Sequence, residues 1–345
     1  MVKLGDVINV HYGKALKADQ RVSNGSVHVF GSSGIVGNHD KTLCSYPTII
    51  IGRKGSVGAI TWAPDGGWII DTAYYVEIKD NNKLDLRYLF YILSGIDLTK
   101  KTITTSIPGL NRDDLYDTFI KLPPFEEQKR IVDLLDKAEG IRQKREQAIK
   151  LADDFLRATF ATMYGNPITN PKKWPVHLMG EIIEFKGGNQ PPKSDFIFEP
   201  KQGYIRLVQI RDFKSDKYAT YIPQEKAKRI FEVDDVMIAR YGPPVFQILR
   251  GLSGSYNVAL MKASPKENIR KGFIFYLLQL PEYHDVVVKN SERTAGQTGV
   301  NLELLNKFNV PLPPIYYQDE ILARLARIEK FKEKIEISLN HLEMQ

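Results

Sequence analysis

The chain has 345 residues, a formal net charge of +7 from 48 Lys and Arg against 41 Asp and Glu, and one cysteine. That length supports two globular cores with connecting helices, the mild basic excess suits a polyanionic partner without requiring one, and a lone cysteine excludes an internal disulfide or zinc framework. The longest apolar runs, Ile49 to Ile51 and Phe273 to Leu278, are far too short to cross a bilayer. Lys3 and Asp6 interrupt the residues where a secretory core would stand, so a cytoplasmic protein is expected, with Cys44 as a buried, inert thiol.

From the start to about residue 120 the pattern is one of short strands. Val27-His28-Val29-Phe30, Thr48-Ile49-Ile50-Ile51 and Tyr74-Tyr75-Val76-Glu77-Ile78 are rich in β-branched and aromatic residues, with Gly, Asn, Asp and Ser between them. Leu84 to Leu93 predicts a helix. The run Gly31-Ser32-Ser33-Gly34-Ile35-Val36-Gly37 lacks a following Lys-Ser or Lys-Thr and reads as a surface turn rather than a phosphate cradle.

Pro123 and Pro124 then impose an extended backbone. A helix is predicted from near Glu126, where Glu126 and Glu127 match the positive end of its dipole, to about Tyr164, where Gly165-Asn166-Pro167 stops it. Roughly 38 residues at about 1.5 Å each make a rod of about 57 Å. Ile131, Leu134, Ala138, Ile141, Arg145, Ala148, Ala152, Phe155 and Thr159 follow steps of three and four, the seam of a coiled coil. A second stripe, Leu135, Ile149, Leu156 and Met163, lies one position beyond the seam. It serves either to pack on the chain's own globules or to dock helices of another subunit.

The first half is then repeated. Lys121 to Ile149 recurs as Pro311 to Leu339, 190 residues later. Upstream, Leu4-Gly5-Asp6 echoes Met179-Gly180-Glu181, Ile51-Gly52-Arg53 echoes Ile238-Ala239-Arg240, Tyr88 to Leu93 echoes Phe273 to Leu278, and Gly109-Leu110-Asn111 echoes Gly299-Val300-Asn301. Self-similarity over so long a period means a duplicated domain. The drifting offsets place length changes in the loops, as expected of two copies tuned to different ligands. The second helix keeps a seam of Ile321, Leu325, Ile328, Phe331, Ile335, Leu339 and Leu342, and antiparallel packing of the two rods buries both seams.

Leu122-Pro123-Pro124-Phe125-Glu126-Glu127-Gln128 and its repeat, Leu312-Pro313-Pro314 with Gln318 but with Tyr316 and Tyr317 in place of the acidic pair, resemble the specificity (S) subunit of type I restriction-modification systems. The resemblance covers nearly the whole chain. It implies an α+β fold with two similar target-recognition domains (1–122 and 166–312) and two long helices (123–165 and 313–345) forming an antiparallel coiled coil. It also implies a non-catalytic DNA-binding subunit. Each domain would read one half of a bipartite, asymmetric double-stranded target, and the helices would set the spacer and dock two methyltransferase (M) subunits, with restriction (R) subunits joining. No cofactor belongs to this chain on that reading; S-adenosylmethionine, ATP and Mg²⁺ belong to the partner subunits. The second helix, about 27 residues to Gln345, would pair with only part of the first.

Base reading needs paired donors or acceptors, chiefly Arg and Lys to guanine and Asn and Gln to adenine. Arg53 and Lys54 before Gly55, and Arg240 and Tyr241 before Gly242, follow apolar strands and emerge at turns; a plain surface charge at a strand end is the alternative. Thr104, Thr105, Asn111 and Arg112 in the first half, and Arg293, Gln297, Thr298 and Asn301 in the second, form matching polar segments that serve as DNA contacts or as turn and helix caps. Lys186, Gln190, Gln209 and Arg211 are further candidates in the second half. The docking candidates are Leu135, Ile149, Leu156 and Met163.

Two rival functions have footholds. Asp65, Glu77 and Lys79 fit the loose spacing of a metal-dependent nuclease, although Asp65 lies in a Pro-Asp-Gly-Gly turn and the second copy lacks the pattern. A coiled-coil scaffold binding only proteins is the other. A methyltransferase is disfavoured, because Leu122 stands where its Pro-Pro-aromatic motif needs a polar residue.

Overall fold

Short apolar runs bounded by glycines and turn residues fold, in each half of the chain, into small, mainly antiparallel sheets packed with helices. The computed structural model describes residues 1–101, 109–242, 244–293 and 299–343. It comprises two compact units, Met1–Arg142 and Gln143–Gln345.

Unit 1 opens with β1 (Val2–Lys3), α1 (Leu4–Val7) and β2 (Ile8–Tyr12), followed by the hairpin β3 (Val27–Gly31) and β4 (Gly34–His39). Then come β5 (Thr48–Gly52), β6 (Ile60–Ala63), β7 (Trp68–Ile69), β8 (Ala73–Ile78), α2 (Leu86–Ser94), α3 (Arg112–Tyr116) and β9 (Phe119–Ile120). One sheet has the order β2-β8-β5-β6 and a second the order β4-β3-β7, while β1 pairs with β9. Strand β5 is buried throughout, and its period of two divides the core. Ile49 and Ile51 pack with Leu89 and Leu93 of α2, whereas Ile50 faces Phe30 and Ile69 of the second sheet. Helix α2 starts two residues later than the apolar pattern suggests because Asp85 caps it, accepting from the Tyr88 N–H at 2.8 Å. Ser32 and Ser33 form the tight turn of the β3–β4 hairpin, and Cys44 is buried with its thiol pushed up by burial.

Helix α4 (Phe125–Tyr164) begins in unit 1 and ends in unit 2. Unit 2 continues with β10 (Val176–Leu178), α5 (Met179–Ile182), β11 (Ile183–Gly187), β12 (Tyr204–Val208), β13 (Tyr221–Pro223), β14 (Ile230–Phe231) and β15 (Val236–Ala239). Next are β16 (Ile248–Leu249), β17 (Gly254–Tyr256), β18 (Leu260–Pro265), α6 (Lys271–Leu277), α7 (Pro281–Arg293), α8 (Leu302–Asn306), β19 (Asn309–Pro311) and α9 (Ile315–Glu343). The sheet β11-β18-β15-β16 repeats β2-β8-β5-β6, and β10-β19 repeats β1-β9. In the remaining sheet, β12 pairs antiparallel with β13 and parallel with β17, as β3 does with β4 and β7. The core divides the same way: Val236 and Ile238 lie in the main cluster, Met237 in the second. The internal repeat is therefore a repeat of topology as well as of motif.

Within unit 2 the two long helices run antiparallel. Arg145 Nη1 donates to the Ser338 carbonyl at 2.7 Å, Lys332 pairs with Asp153 at 2.7 Å, and the Tyr317 hydroxyl donates to the Met163 carbonyl at 3.1 Å. Partner numbers thus fall along α9 as they rise along α4. Gly165, at φ +92°, ends α4 in the left-handed conformation that glycine alone adopts without strain.

The expected seam gives way toward the end of α4. The buried residues there are Ala152, Leu156, Phe160 and Tyr164, a step of four, and Phe155 is 60% exposed. The reason is packing: Phe160 lies 5.2 Å from Phe273 and 5.5 Å from Tyr276 of α6. These last turns therefore behave as a core helix with its natural 3.6-residue period. On α9, Ile321 and Leu325 are buried while Phe331 is 60% exposed, and the side chain of Leu342 lies outside the described residues.

Candidate nucleic-acid interface

In unit 1, β5 ends at Gly52 and its continuation is pinned on both sides. The Arg53 N–H donates to the Thr72 carbonyl at 2.9 Å, and the Arg53 carbonyl accepts from the Leu110 N–H at 3.0 Å. Gly55, at φ +76°, then turns the chain back. These bonds bring Arg53 and Lys54 beside Asn111 and Arg112, joining two segments that the sequence places far apart.

The side chains meet on Tyr12, the last residue of β2. The Arg53 guanidinium lies 5.1 Å and that of Arg112 5.3 Å from its ring centroid. Tyr12 is 48% exposed, so a partly open ring carries two cationic groups. Such contacts hold a guanidinium without neutralising it. Arg53 Nη1 also donates to the Asp71 carbonyl at 3.2 Å, while Arg112 Nε is buried without a hydrogen-bond partner. Beneath them the Tyr74 hydroxyl donates to the Leu110 carbonyl at 2.9 Å; burial, and then the neighbouring Tyr12 phenol, push its pKa up to about 12. It therefore remains a donor near neutral pH.

Unit 2 repeats the frame with different side chains. The Arg240 carbonyl accepts from the Val300 N–H at 3.0 Å, its N–H donates to the Ala259 carbonyl at 2.8 Å, and Gly242 turns at φ +88°. The Arg240 guanidinium lies 5.1 Å from the exposed Tyr241 ring, and its Nε is buried without a partner. Gly187 ends β11 where Tyr12 ends β2, and a Cβ there would stand 3.0 Å from Arg240 Nη1. Leu302 occupies the position of Arg112.

The remaining candidates are dispersed. Asn111 and Asn301 are helix caps, their side-chain oxygens accepting from the Asp113 and Leu304 N–H groups at 3.1 Å each. Lys186 pairs with Glu184 at 3.1 Å along β11. Gln190 follows that strand, its amide directed at the Pro191 carbonyl at 3.4 Å. Gln209 and Arg211 lie on the connection after β12, where the Arg211 guanidinium sits 5.6 Å from the Tyr218 ring. Arg293 is the last residue of α7, and Thr104, Thr105, Gln297 and Thr298 lie outside the described residues. Tyr12 escaped the sequence reading because Ile8, Val10 and Tyr12 share one strand face and look like core. Aligning Tyr12-Gly13 with Gly187-Gly188 was the available signal.

Two sequence expectations need correction or find no support. Of the two roles open to the second stripe, packing on the chain's own globule is the one seen for Leu156, in the unit 2 core, and for Met163 against it, so these two are not free for docking, while Leu135 and Ile149 are half-buried. The rings of α6 claim that face. The open apolar surface is instead a groove of about 520 Å³ bordered by Leu151, Phe155, Ile328 and Phe331. The nuclease residues serve other ends. Glu77 is held below the usual carboxylate range by hydrogen bonds from His11 at 3.0 Å and Asn9 at 3.3 Å. Lys79 donates to the Gly5 carbonyl at 2.5 Å, and Asp65 sits in the predicted turn. No group of three His, Cys, Asp or Glu that could hold a metal occurs among the described residues.

A duplicated α+β scaffold that presents half-buried arginines at equivalent turns, without a carboxylate partner among the described residues, and carries two long helices defines a two-headed recognition protein. The chain belongs to the type I restriction modification DNA specificity domain family, whose model matches residues 1–151 and 171–343. It is 22% identical over 336 residues to the type I restriction enzyme EcoBI specificity subunit of Escherichia coli, covering 86% of this chain and 70% of that protein. It is 21% identical over 305 residues to the MjaVIII specificity subunit of Methanocaldococcus jannaschii, covering 76% and 69%. Among solved structures, the type I S subunit from M. genitalium superposes with a TM-score of 0.63 at 16% identity, over 99% of this chain and 92% of that one. A chain from a structure of type I R-M complex assembly and conformational transition gives 0.57 at 19% identity, over 99% and 94%. The fold is that of a specificity subunit, and the protein is a DNA-recognition subunit, not a catalytic one. No helix among the described residues is long and apolar enough to cross a membrane.

Proposed function

We propose that each unit reads one half of a bipartite, asymmetric duplex target, while the paired helices set the unread spacer and dock two methyltransferase subunits, restriction subunits joining the assembly in the cytoplasm. S-adenosylmethionine, ATP and Mg²⁺ act on those partners. The observation that carries this reading is one frame with two surfaces: Arg53 and Arg240 are held alike, yet where unit 1 has Tyr12 and Arg112 unit 2 has Gly187 and Leu302. Identical heads would read a symmetric site; these do not match. The groove beside Phe155 and Phe331 favours helix docking there, since exposed apolar surface of this kind marks interaction sites.

The test is exchange of residues 1–122 for the equivalent domain of a relative, in a host carrying the methyltransferase subunits, followed by methylome sequencing. One half of the methylated motif should change and the other persist. A change in both halves refutes separate reading heads.

A further inference from the structure

Two copies that read different sequences must differ where they touch bases, and can agree where they touch the backbone, because phosphates look alike whatever the sequence. The duplication inside this chain therefore sorts its own contacts. At the turn after the central strand, Tyr12 and Arg112 have no counterparts, whereas Arg53 and Arg240 correspond in backbone frame and each rests on a tyrosine, although not on an equivalent one. The Arg53 and Arg240 carbonyls accept from the Leu110 and Val300 N–H groups at 3.0 Å each, each guanidinium lies 5.1 Å from a tyrosine ring, and each turn closes on a left-handed glycine.

Charge points the same way. Among the described residues, Arg87, Arg206, Arg250 and Arg270 have carboxylate partners in Asp136, Asp216, Glu329 and Asp319. Arg53 and Arg240 have none there, although their backbones are fixed on both sides and their side chains rest on rings. A guanidinium restrained in this manner loses little conformational entropy on meeting an external anion, and keeps its full charge for it.

We infer that Arg53 and Arg240 are equivalent phosphate anchors, one per half-site, which position each unit on the DNA backbone without reading sequence. The inference rests on the DNA-reading role proposed above. It assigns sequence discrimination in unit 1 to neighbours such as Arg112 rather than to Arg53.

The test uses the full chain assembled with its methyltransferase subunits, and two duplexes, one carrying the methylated motif and one scrambled. Arg53→Gln and Arg240→Gln should each weaken binding to both duplexes by the same factor and reduce the salt slope by about 1, worth about threefold between roughly 50 and 200 mM salt. Arg53→Lys should restore the slope, and the double variant should lose about 2. A loss confined to one base pair with an unchanged slope would make the arginines base readers and overturn the inference. So would a lowered melting temperature with an unchanged slope, which marks a purely structural role. Wild-type complex that shows no salt-dependent binding to either duplex would instead sink the DNA-reading proposal itself.

Discussion

Gln128 and Gln318 make the same three hydrogen bonds in the two units. Gln128 Oε1 accepts from the Asp85 N–H at 2.9 Å, and its Nε2 donates to the Lys83 and Pro123 carbonyls at 2.8 and 2.9 Å. Gln318 Oε1 accepts from the Arg270 N–H at 2.8 Å, and its Nε2 donates to the Asn268 and Pro313 carbonyls at 2.9 and 2.8 Å. Both are fully buried, and each ties a long helix to the loop preceding α2 or α6. This explains why the glutamine persists in both motifs while Glu126-Glu127 gives way to Tyr316-Tyr317. Tyr317 has a local task of its own, packing on Trp174 at 5.2 Å and accepting from Lys172 at 2.6 Å.

Gln318→Ala should therefore destabilise unit 2 by about 2–4 kcal/mol, because it strands three buried backbone groups. Gln318→Glu, though isosteric, should cost at least as much, since a carboxylate cannot donate to two carbonyls. Urea unfolding checks both; a change within about 0.5 kcal/mol for either would remove the glutamine from the architecture.

Arg112 stands in unit 1 alone, so Arg112→Ala should reduce discrimination at one half-site by about 1–3 kcal/mol and leave the other intact. Binding to duplexes altered one base pair at a time reports this directly. Equal effects in both halves would deny Arg112 a reading role.

Neighbouring residues on α4 should behave in opposite ways. Leu156, 6% exposed, should cost about 2–5 kcal/mol of stability when changed to alanine. Phe155, 60% exposed, should cost little as Phe155→Ser yet weaken co-purification of the methyltransferase subunit. Unaltered co-purification would detach the groove from docking.

The helix register constrains any change of spacer. A heptad inserted after Ala148 separates the Arg145–Ser338 contact from the Asp153–Lys332 pair, so a matching heptad belongs in α9 between Lys332 and Ser338. The matched pair should fold and lengthen the methylated spacer by roughly three base pairs, seven residues adding about 10 Å. The single insertion should be less stable, and an unchanged spacer in the matched protein would mean the helices are not the ruler.

Asp235, immediately before β15, gives unit 2 an acid sensitivity. Burial works to raise its pKa, but the Glu232 N–H at 2.8 Å, Lys271 at 2.9 Å and Lys262 at 3.2 Å together hold it below the usual carboxylate value. A depressed folded-state pKa contributes stability that is complete above the unfolded value of about 3.9 and is lost as pH falls through the folded one. The stability gap between wild type and Asp235→Asn should thus be constant near neutrality and shrink below about pH 4. A gap that stays the same down to pH 3 would contradict this pairing.

The duplication, the two long helices, the β-rich globules and the family were all legible in the residues, because they depend on local periodicity and on motifs that a turn or helix requires. Positions Ile49, Ile50 and Ile51 illustrate what was not legible: their alternation marks a strand, but only the packed structure shows which of two cores each serves. The same limit misplaced the docking stripe, since heptad spacing cannot reveal that Phe273 and Tyr276 claim the last turns of α4. The candidate reading surface, too, was a tertiary product. Sequence named Arg53 and Arg112 separately and did not single out Tyr12; the hydrogen bond from Leu110 to Arg53 brings the two segments together, and Tyr12 then carries both charges. Local propensity determined the elements of this protein, and long-range packing decided which of their faces remain free to meet DNA or a partner.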